Sequence, residues 1–304
     1  MSGALVVLLA LLLDAVMGEP DALWRRMPHP AVLMGRAVGA LERRLNRGTA
    51  RRERGIAAMV VLAAGAWLVG RVLAGLPMGW AVEIVAGAIL LAQRSLVDHV
   101  RDVATALRRS VAEGRVAVAR IVGRDTTDMD GPAISRAAIE SAAENFSDGV
   151  VAPAFWFLLG GLPGLMVYKV TNTADSMIGY RTPELERFGW AAARFDDLLN
   201  WLPARASALI LSAAFGRWPG WPMLARDARL HRSPNAGWPE AAMAQGLDLA
   251  LAGPRSYDGQ MRDFPWVWPS GNRAPGAAEI DAAADVLWRA WAVLLGCVAL
   301  AAAV

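Results

Sequence analysis

Residues 56–76, IAAMVVLAAGAWLVGRVLAGL, form a 21-residue apolar run in which Arg71 is the one charge. A helix of about 20 such residues crosses the hydrocarbon core of a bilayer, and helix is the form in which such a segment satisfies its own backbone there. Pro77 permits a tight turn and residues 78–93 return, so the two runs make a helical hairpin. Arg51, Arg52 and Arg54 flank one end and Arg94 the other, which places both ends in the cytoplasm by the positive-inside rule. Nine arginines in residues 18–54 and eight in 94–136 point the same way. With 55% hydrophobic residues, against roughly 45–50% in soluble domains, the chain reads as membrane-embedded.

The other apolar runs are shorter or interrupted. Residues 4–17 enter the membrane from outside. A cleaved secretory signal fits them poorly, because they lack a basic leader and a small-x-small cleavage site, and Asp14 lies within the run. Residues 286–304 carry an interfacial collar of Trp288, Arg289 and Trp291. Between them, 150–168 is broken by Pro153 and by GGLPG, and 204–215 is short for a span. Both are expected as re-entrant or protein-buried helices, leaving 169–198 and 217–283 on the cytoplasmic side. No internal repeat or linker divides the sequence, so the expectation is one all-α domain over residues 1–304: a polytopic integral membrane protein with broken or re-entrant helices and cytoplasmic helical segments.

Composition excludes several functions. The single cysteine, Cys297, rules out an internal disulfide and a thiolate metal cluster, and three histidines leave little for zinc. A net charge of +3 is far from the basic balance of a nucleic-acid binder. There is no G-x-x-x-x-G-K-[ST] and no G-x-G-x-x-G, so a nucleotide would be bound without those phosphate loops.

The stretch IESAAENFSDGVVAP (139–153) sets Glu140, Glu144 and Asp148 four residues apart. On a helix that is one stripe of repelling carboxylates. Gly149 is the expected helix stop, which puts the stripe at the negative end of the macrodipole. A hard cation makes it tolerable, and Mg²⁺ is commonly held by one or two carboxylates together with substrate phosphates. The competing reading is a solvated helix face, with Arg136 one turn before Glu140.

Two further stretches carry the same chemistry. YKVTNTADSMIGY (168–180) puts Asn172, Asp175 and Ser176 on one helical face, and RFDDLLNWLPAR (194–205) adds Asp196, Asp197 and Asn200, then Arg205. Polar groups converging near apolar segments are better explained by a site than by chance. Lys169 is the chain's one lysine beside thirty arginines; its ammonium is a compact donor to a phosphate or acyl oxygen, or it snorkels at the interface. RDARLHRSPNAGWPEAAMAQ (226–245) supplies Arg226, Arg229 and Arg232, then a Ser233-Pro-Asn235 turn, then a helix opening at Pro239. Arginines beside exposed backbone donors suit phosphate or an anionic membrane surface. Trp266 and Trp268 could stack on a flat ligand.

These strings, with LLLDAVMGEP and HPAVLMG nearer the N-terminus, resemble the adenosylcobinamide-phosphate synthase family of cobalamin biosynthesis (CobD/CbiB), in order over about residues 10–280. The resemblance implies a bacterial inner-membrane enzyme with a cytoplasmic active site. It would use MgATP to join (R)-1-amino-2-propanol phosphate, or a related amino-alcohol, to a propionate carboxylate of adenosylcobyric acid, a cobalt-containing corrinoid. Other cobalamin-biosynthesis enzymes are its expected protein partners. In that setting Glu140, Glu144, Asp148 and Asp175 are the expected metal ligands. Lys169 and Arg205 would neutralise phosphates, and Asp196 or Asp197 would take the ammonium proton. Asn145, Asn172, Ser176, Asn200, Arg229, Ser233 and Asn235 are the expected substrate contacts.

Two other classes compete. A Mg²⁺-dependent intramembrane prenyl or CDP-alcohol phosphotransferase would also use aspartate-rich helices, but with tighter repeated aspartates than Asn145, Asn172 and Asn200 allow here. A transporter would show broken helices with polar groups at mid-membrane, and commonly an inverted repeat.

Overall fold

The computed structural model describes the chain apart from residues 20, 217, 219, 258, 259 and 304. Pro20, the last residue of LLLDAVMGEP, therefore lies outside the described residues. In chain order the helices are α1 (Gly3–Met17), α2 (Asp21–Trp24), α3 (Pro30–Leu45), α4 (Arg51–Ala74), α5 (Gly79–Leu90), α6 (Gln93–Arg109), α7 (Val111–Val118), α8 (Gly131–Phe146), α9 (Ala152–Ile178), α10 (Trp190–Leu199), α11 (Trp201–Ala214), α12 (Trp221–Ala228), α13 (Gly237–Leu247) and α14 (Ala277–Ala303). Among the described residues, four helical runs are long and apolar enough to cross a membrane: Arg51–Ala74, Gly79–Arg109, Gly131–Ile178 and Ala277–Ala303. The chain divides into two compact units.

The first unit comprises Met1–Ala92, Ala152–Trp201 and Cys297–Val304. Helix α9 is its axis, packed by α1, α3, α4, α5 and α10. The hairpin expected around Pro77 is present as α4 and α5. Val60, Trp67, Leu68 and Val72 stand exposed on α4, an apolar face that suits lipid rather than water. Where α4 passes α9, a Cβ on Gly70 would lie 2.6 Å from Pro163 Cα, so only glycine permits that approach. GGLPG does not end the helix as a span. Gly161 takes a non-helical conformation (φ 60°, ψ −161°) and Pro163 opens the second half, so α9 is a broken helix.

The second unit comprises Gln93–Val151 and Leu202–Gly296. Helix α8 is its axis, against α6, α7, α13 and β1. Four short strands follow α13, all missed from sequence: β1 (Leu251–Ala252) pairs with β4 (Trp266–Val267), and β2 (Arg255–Tyr257) with β3 (Gln260–Arg262), both antiparallel. At two or three residues each they are too short to show a period of two. Helix α13 opens at Gly237, two residues before the expected Pro239.

The chief departure concerns residues 147–151. Gly149 does not stop the helix; Ser147–Val151 form a turn of π-helix that carries α8 directly into α9. Glu140, Glu144 and Asp148 therefore lie inside a continuous 48-residue run, away from any negative helix end, because the apolar residues after Gly149 propagate the helix. At 48 residues the run has more than the roughly 20 that one crossing needs, but Gly161 breaks it, so it is not one straight rod. The interruption expected in 150–168 at GGLPG is present as the break at Gly161, whereas Pro153 is accommodated within the helix. Helix α11, at 14 residues, is as short as expected.

Candidate active site

In the first unit, the C-terminal half of α9 and the whole of α10 bring together the polar residues read from 168–180 and 194–205. Tyr168 Oη donates to Asn200 Oδ1 at 3.0 Å, and Asn200 Nδ2 donates to Asp196 Oδ2 at 2.9 Å. Asn172 Nδ2 donates to the other oxygen, Oδ1, at 3.3 Å. Tyr168, Asp196 and Asn200 are buried. Two amides hold the Asp196 carboxylate, and the charges acting on it, Asp175 and then Asp197, are like-signed. Burial first, and Asp175 second, push Asp196 up to about 7. Beside it, burial also raises Asp197, against the pull of Arg194. At the end of α9 a Cβ on Gly179 would come 2.0 Å from Asp175 Oδ1, so the glycine keeps room for that carboxylate. Lys169 is half-buried on the same helix, whereas Ser176 is exposed.

In the second unit, Glu140 has a different environment from the one expected of a metal ligand. Its Oε2 accepts from Arg124 Nη2 at 2.7 Å and forms an ion pair with Arg255 Nη1 at 3.1 Å, and its Oε1 accepts from Ala252 N–H at 2.8 Å. Arg124 and Arg255 are 9% and 14% exposed, so this is a largely buried ion triad in which both carboxylate oxygens are engaged. Arg136, the expected partner, instead donates to Arg273 O at 2.6 Å and lies over Trp266. Trp268 Nε1 is bonded to Asp248. Glu144 is exposed, and Asp148 is half-buried in the π turn.

The remaining expected contacts in this unit are mostly local. Asn145 donates to Ser141 O on its own helix. Ser233 Oγ accepts from the N–H of Asn235 and Ala236, which makes it a turn former. Arg205 Nη1 donates to Asn235 Oδ1 at 3.3 Å and lies over the Trp238 ring; Arg229 is exposed.

Sequence reasoning passed over Arg124, Arg255 and Glu240. The last is 4% exposed and its Oε1 has no hydrogen-bond partner among the described residues. Burial, then the Glu140 charge, push it up to about 8. His231 Nε2 stands 3.8 Å from its other oxygen.

The donor sets can be compared with magnesium. Among the described residues no three His, Cys, Asp or Glu side chains are grouped to hold a metal by themselves. Asp196 already accepts from Asn172 and Asn200; Asp175, near the end of α9, offers one carboxylate beside it, which suits a Mg²⁺ completed by substrate phosphates rather than a resident ion. Glu140 does not fit, since two guanidiniums already occupy it.

A family model described as CobD/Cbib protein matches residues 7–287. The chain belongs to the CobD/Cbib family. Among its relatives, "Cobalamin biosynthesis protein CobD" of Sinorhizobium sp is 50% identical, over 96% of this chain and 96% of the relative. The protein of that name from Rhizobium meliloti (strain 1021) is 50% identical over 95% and 94%, and that from Rhodobacter capsulatus 45% over 88% and 87%. No solved structure matches this CobD/Cbib chain. The match takes in both polar clusters, so the geometry around Asp196 and around Glu140 belongs to the region shared with the family.

Proposed function

We propose that the chain is a membrane enzyme of cobalamin biosynthesis that forms an amide bond, joining an amino-alcohol phosphate to a propionate carboxylate of adenosylcobyric acid at the expense of ATP. The family match over residues 7–287 supports the pathway. The observation that carries the chemistry is Asp196: a buried carboxylate held by amides, with a proton affinity near neutrality.

A carboxylate is a poor acyl donor. Transfer of the γ-phosphoryl group of ATP onto a propionate oxygen gives an acyl phosphate and ADP. The amine then attacks the acyl carbon, the C–N bond forms and phosphate leaves. Before attack, the substrate ammonium must lose a proton. Asp196 accepts it, and a group whose pKa lies near the working pH does this most effectively. Asn172 and Asn200 hold the Asp196 oxygens in place, and Tyr168 fixes Asn200 from behind. Lys169 on the same unit neutralises phosphate charge. Asp175 would hold magnesium arriving with the nucleotide, which would supply charge neutralisation on the transferred group.

Detergent-solubilised protein given adenosylcobyric acid, aminopropanol phosphate and MgATP should form adenosylcobinamide phosphate and release ADP, and EDTA should stop the reaction. Consumption of a prenyl diphosphate or CDP-alcohol, with no corrinoid product, would replace this reading with the phosphotransferase.

A further inference from the structure

In the first unit, α3, α4 and the second half of α9 border a groove of about 650 Å³. Nothing in the reaction above uses it. The residues lining it are all apolar: on α3 they begin at Pro30 and end at Leu41, on α4 they begin at Val61 and end at Leu73, and α9 adds Met166 and Val170. At 1.5 Å per residue the groove follows both helices for ~16–18 Å, about the depth of one leaflet of a ~30 Å hydrocarbon core. Its wall is not covered by protein, since Leu33, Val61 and Val69 stand exposed. A trough of this kind on a helix apolar enough to cross a membrane takes up hydrocarbon, because left empty its lining forfeits dispersion contacts.

One end of the groove is strongly basic. Across the last turn of α3 and the first of α4, residues 42–54 hold six arginines against Glu42 and Glu53, a net charge of +4. Part of this set stitches the turn: Arg47 Nε donates to Arg43 O, Arg54 Nη1 donates to Arg47 O, and Arg52 lies over the Trp190 ring. Arg44 and Arg51 instead continue the faces that line the groove. Arg44 comes eleven residues after Leu33 and Arg51 eleven before Leu62, about three helical turns in each case, so each leaves its helix on the groove side.

We infer that this groove holds an acyl chain of an anionic phospholipid, with the headgroup phosphate at Arg44 and Arg51. Guanidinium forks match phosphate oxygens and the wall matches a hydrocarbon chain, so one molecule satisfies both ends. A second copy of this chain fits less well. In the same membrane orientation it would set its own +4 turn against this one, and like charges repel. The inference does not depend on the proposed amide-forming reaction.

Native mass spectrometry of the full chain in detergent, titrated with dioleoyl phosphatidylglycerol and with the phosphatidylcholine of the same chains, tests this. Phosphatidylglycerol should bind with Kd at least tenfold below that of phosphatidylcholine. Arg44→Gln and Arg51→Gln should each weaken phosphatidylglycerol about fivefold, the effect of one surface arginine on an anionic lipid, and leave phosphatidylcholine unchanged. Gly65 lies in the groove wall and a Cβ there meets nothing within 4 Å, so Gly65→Leu fills the groove without a clash and should weaken both lipids at least tenfold. Equal affinity for the two lipids in the wild type overturns the inference. So does a phosphatidylglycerol preference that survives Gly65→Leu, which would mean that the arginines attract a membrane surface with no part played by the groove. A wild-type dimer without bound lipid, converted to monomer by Gly65→Leu, would give the groove to a second copy instead.

Discussion

Two buried acids, Glu140 and Asp196, are handled in opposite ways. Glu140 is neutralised by Arg124 and Arg255 and takes a backbone N–H as well. Among the described residues Asp196 is offered amide donors, with another carboxylate, Asp175, close by. A paired buried charge organises its surroundings, and removing one member leaves uncompensated charge. A buried carboxylate without a cation adds little to stability, and what it gains is a pKa displaced towards neutrality. Under the proposed function the contrast gives proton transfer to Asp196 and architecture to Glu140, although sequence spacing alone marked both as parts of one acidic site.

The largest expected effect breaks the comparison on the catalytic side. Asp196→Asn keeps the shape and removes the proton acceptor, so amide formation should fall by about 10²–10⁴-fold while the thermal melt stays within a few degrees of wild type. A melt that collapses together with activity would make Asp196 as structural as Glu140.

Glu140→Ala should do the reverse. It strands Arg124 and Arg255 in a buried setting, at a cost of about 3–5 kcal/mol, seen as a much lower melting temperature. Near-wild-type stability would show that the triad is dispensable.

Glu240 sharpens the contrast through pH. Its folded pKa, about 8, lies above the ordinary 4.5, so the folded protein keeps a proton that the unfolded chain releases. Its contribution to stability is complete below 4.5 and is lost as pH rises through 8. Thermal melts from pH 5 to 9 should therefore fall more steeply for wild type than for Glu240→Gln. Parallel curves would mean that Glu240 titrates normally.

The smallest effects belong to Ser176 and Arg229, both exposed although spacing suggested substrate contact. Ser176→Ala and Arg229→Ala should change turnover by less than about threefold, the range of a surface contact. A large loss in either would return it to the site.

What the sequence made legible was local. The α4–α5 hairpin follows from two apolar runs around Pro77, and the face shared by Asn172 and Asp175, like that shared by Asp196 and Asn200, follows from helical periodicity. The partners of Glu140 were hidden because Arg124 and Arg255 come from separate segments, one ahead of α8 and the other in β2, and no spacing rule links them. Gly149 misled because its stop signal is a local preference, overridden by the apolar helix that continues through the π turn. The same misreading put Glu144 and Asp148 at a helix end they do not occupy.

The most direct measurement follows oxygen. With ¹⁸O in the reacting propionate carboxylate of adenosylcobyric acid, an acyl-phosphate route transfers one label into the released inorganic phosphate, and ADP appears in equal amount. That is the result expected for wild type, and it should be lost in Asp196→Asn. Label found in AMP, or phosphate released without label while amide forms, would contradict the account.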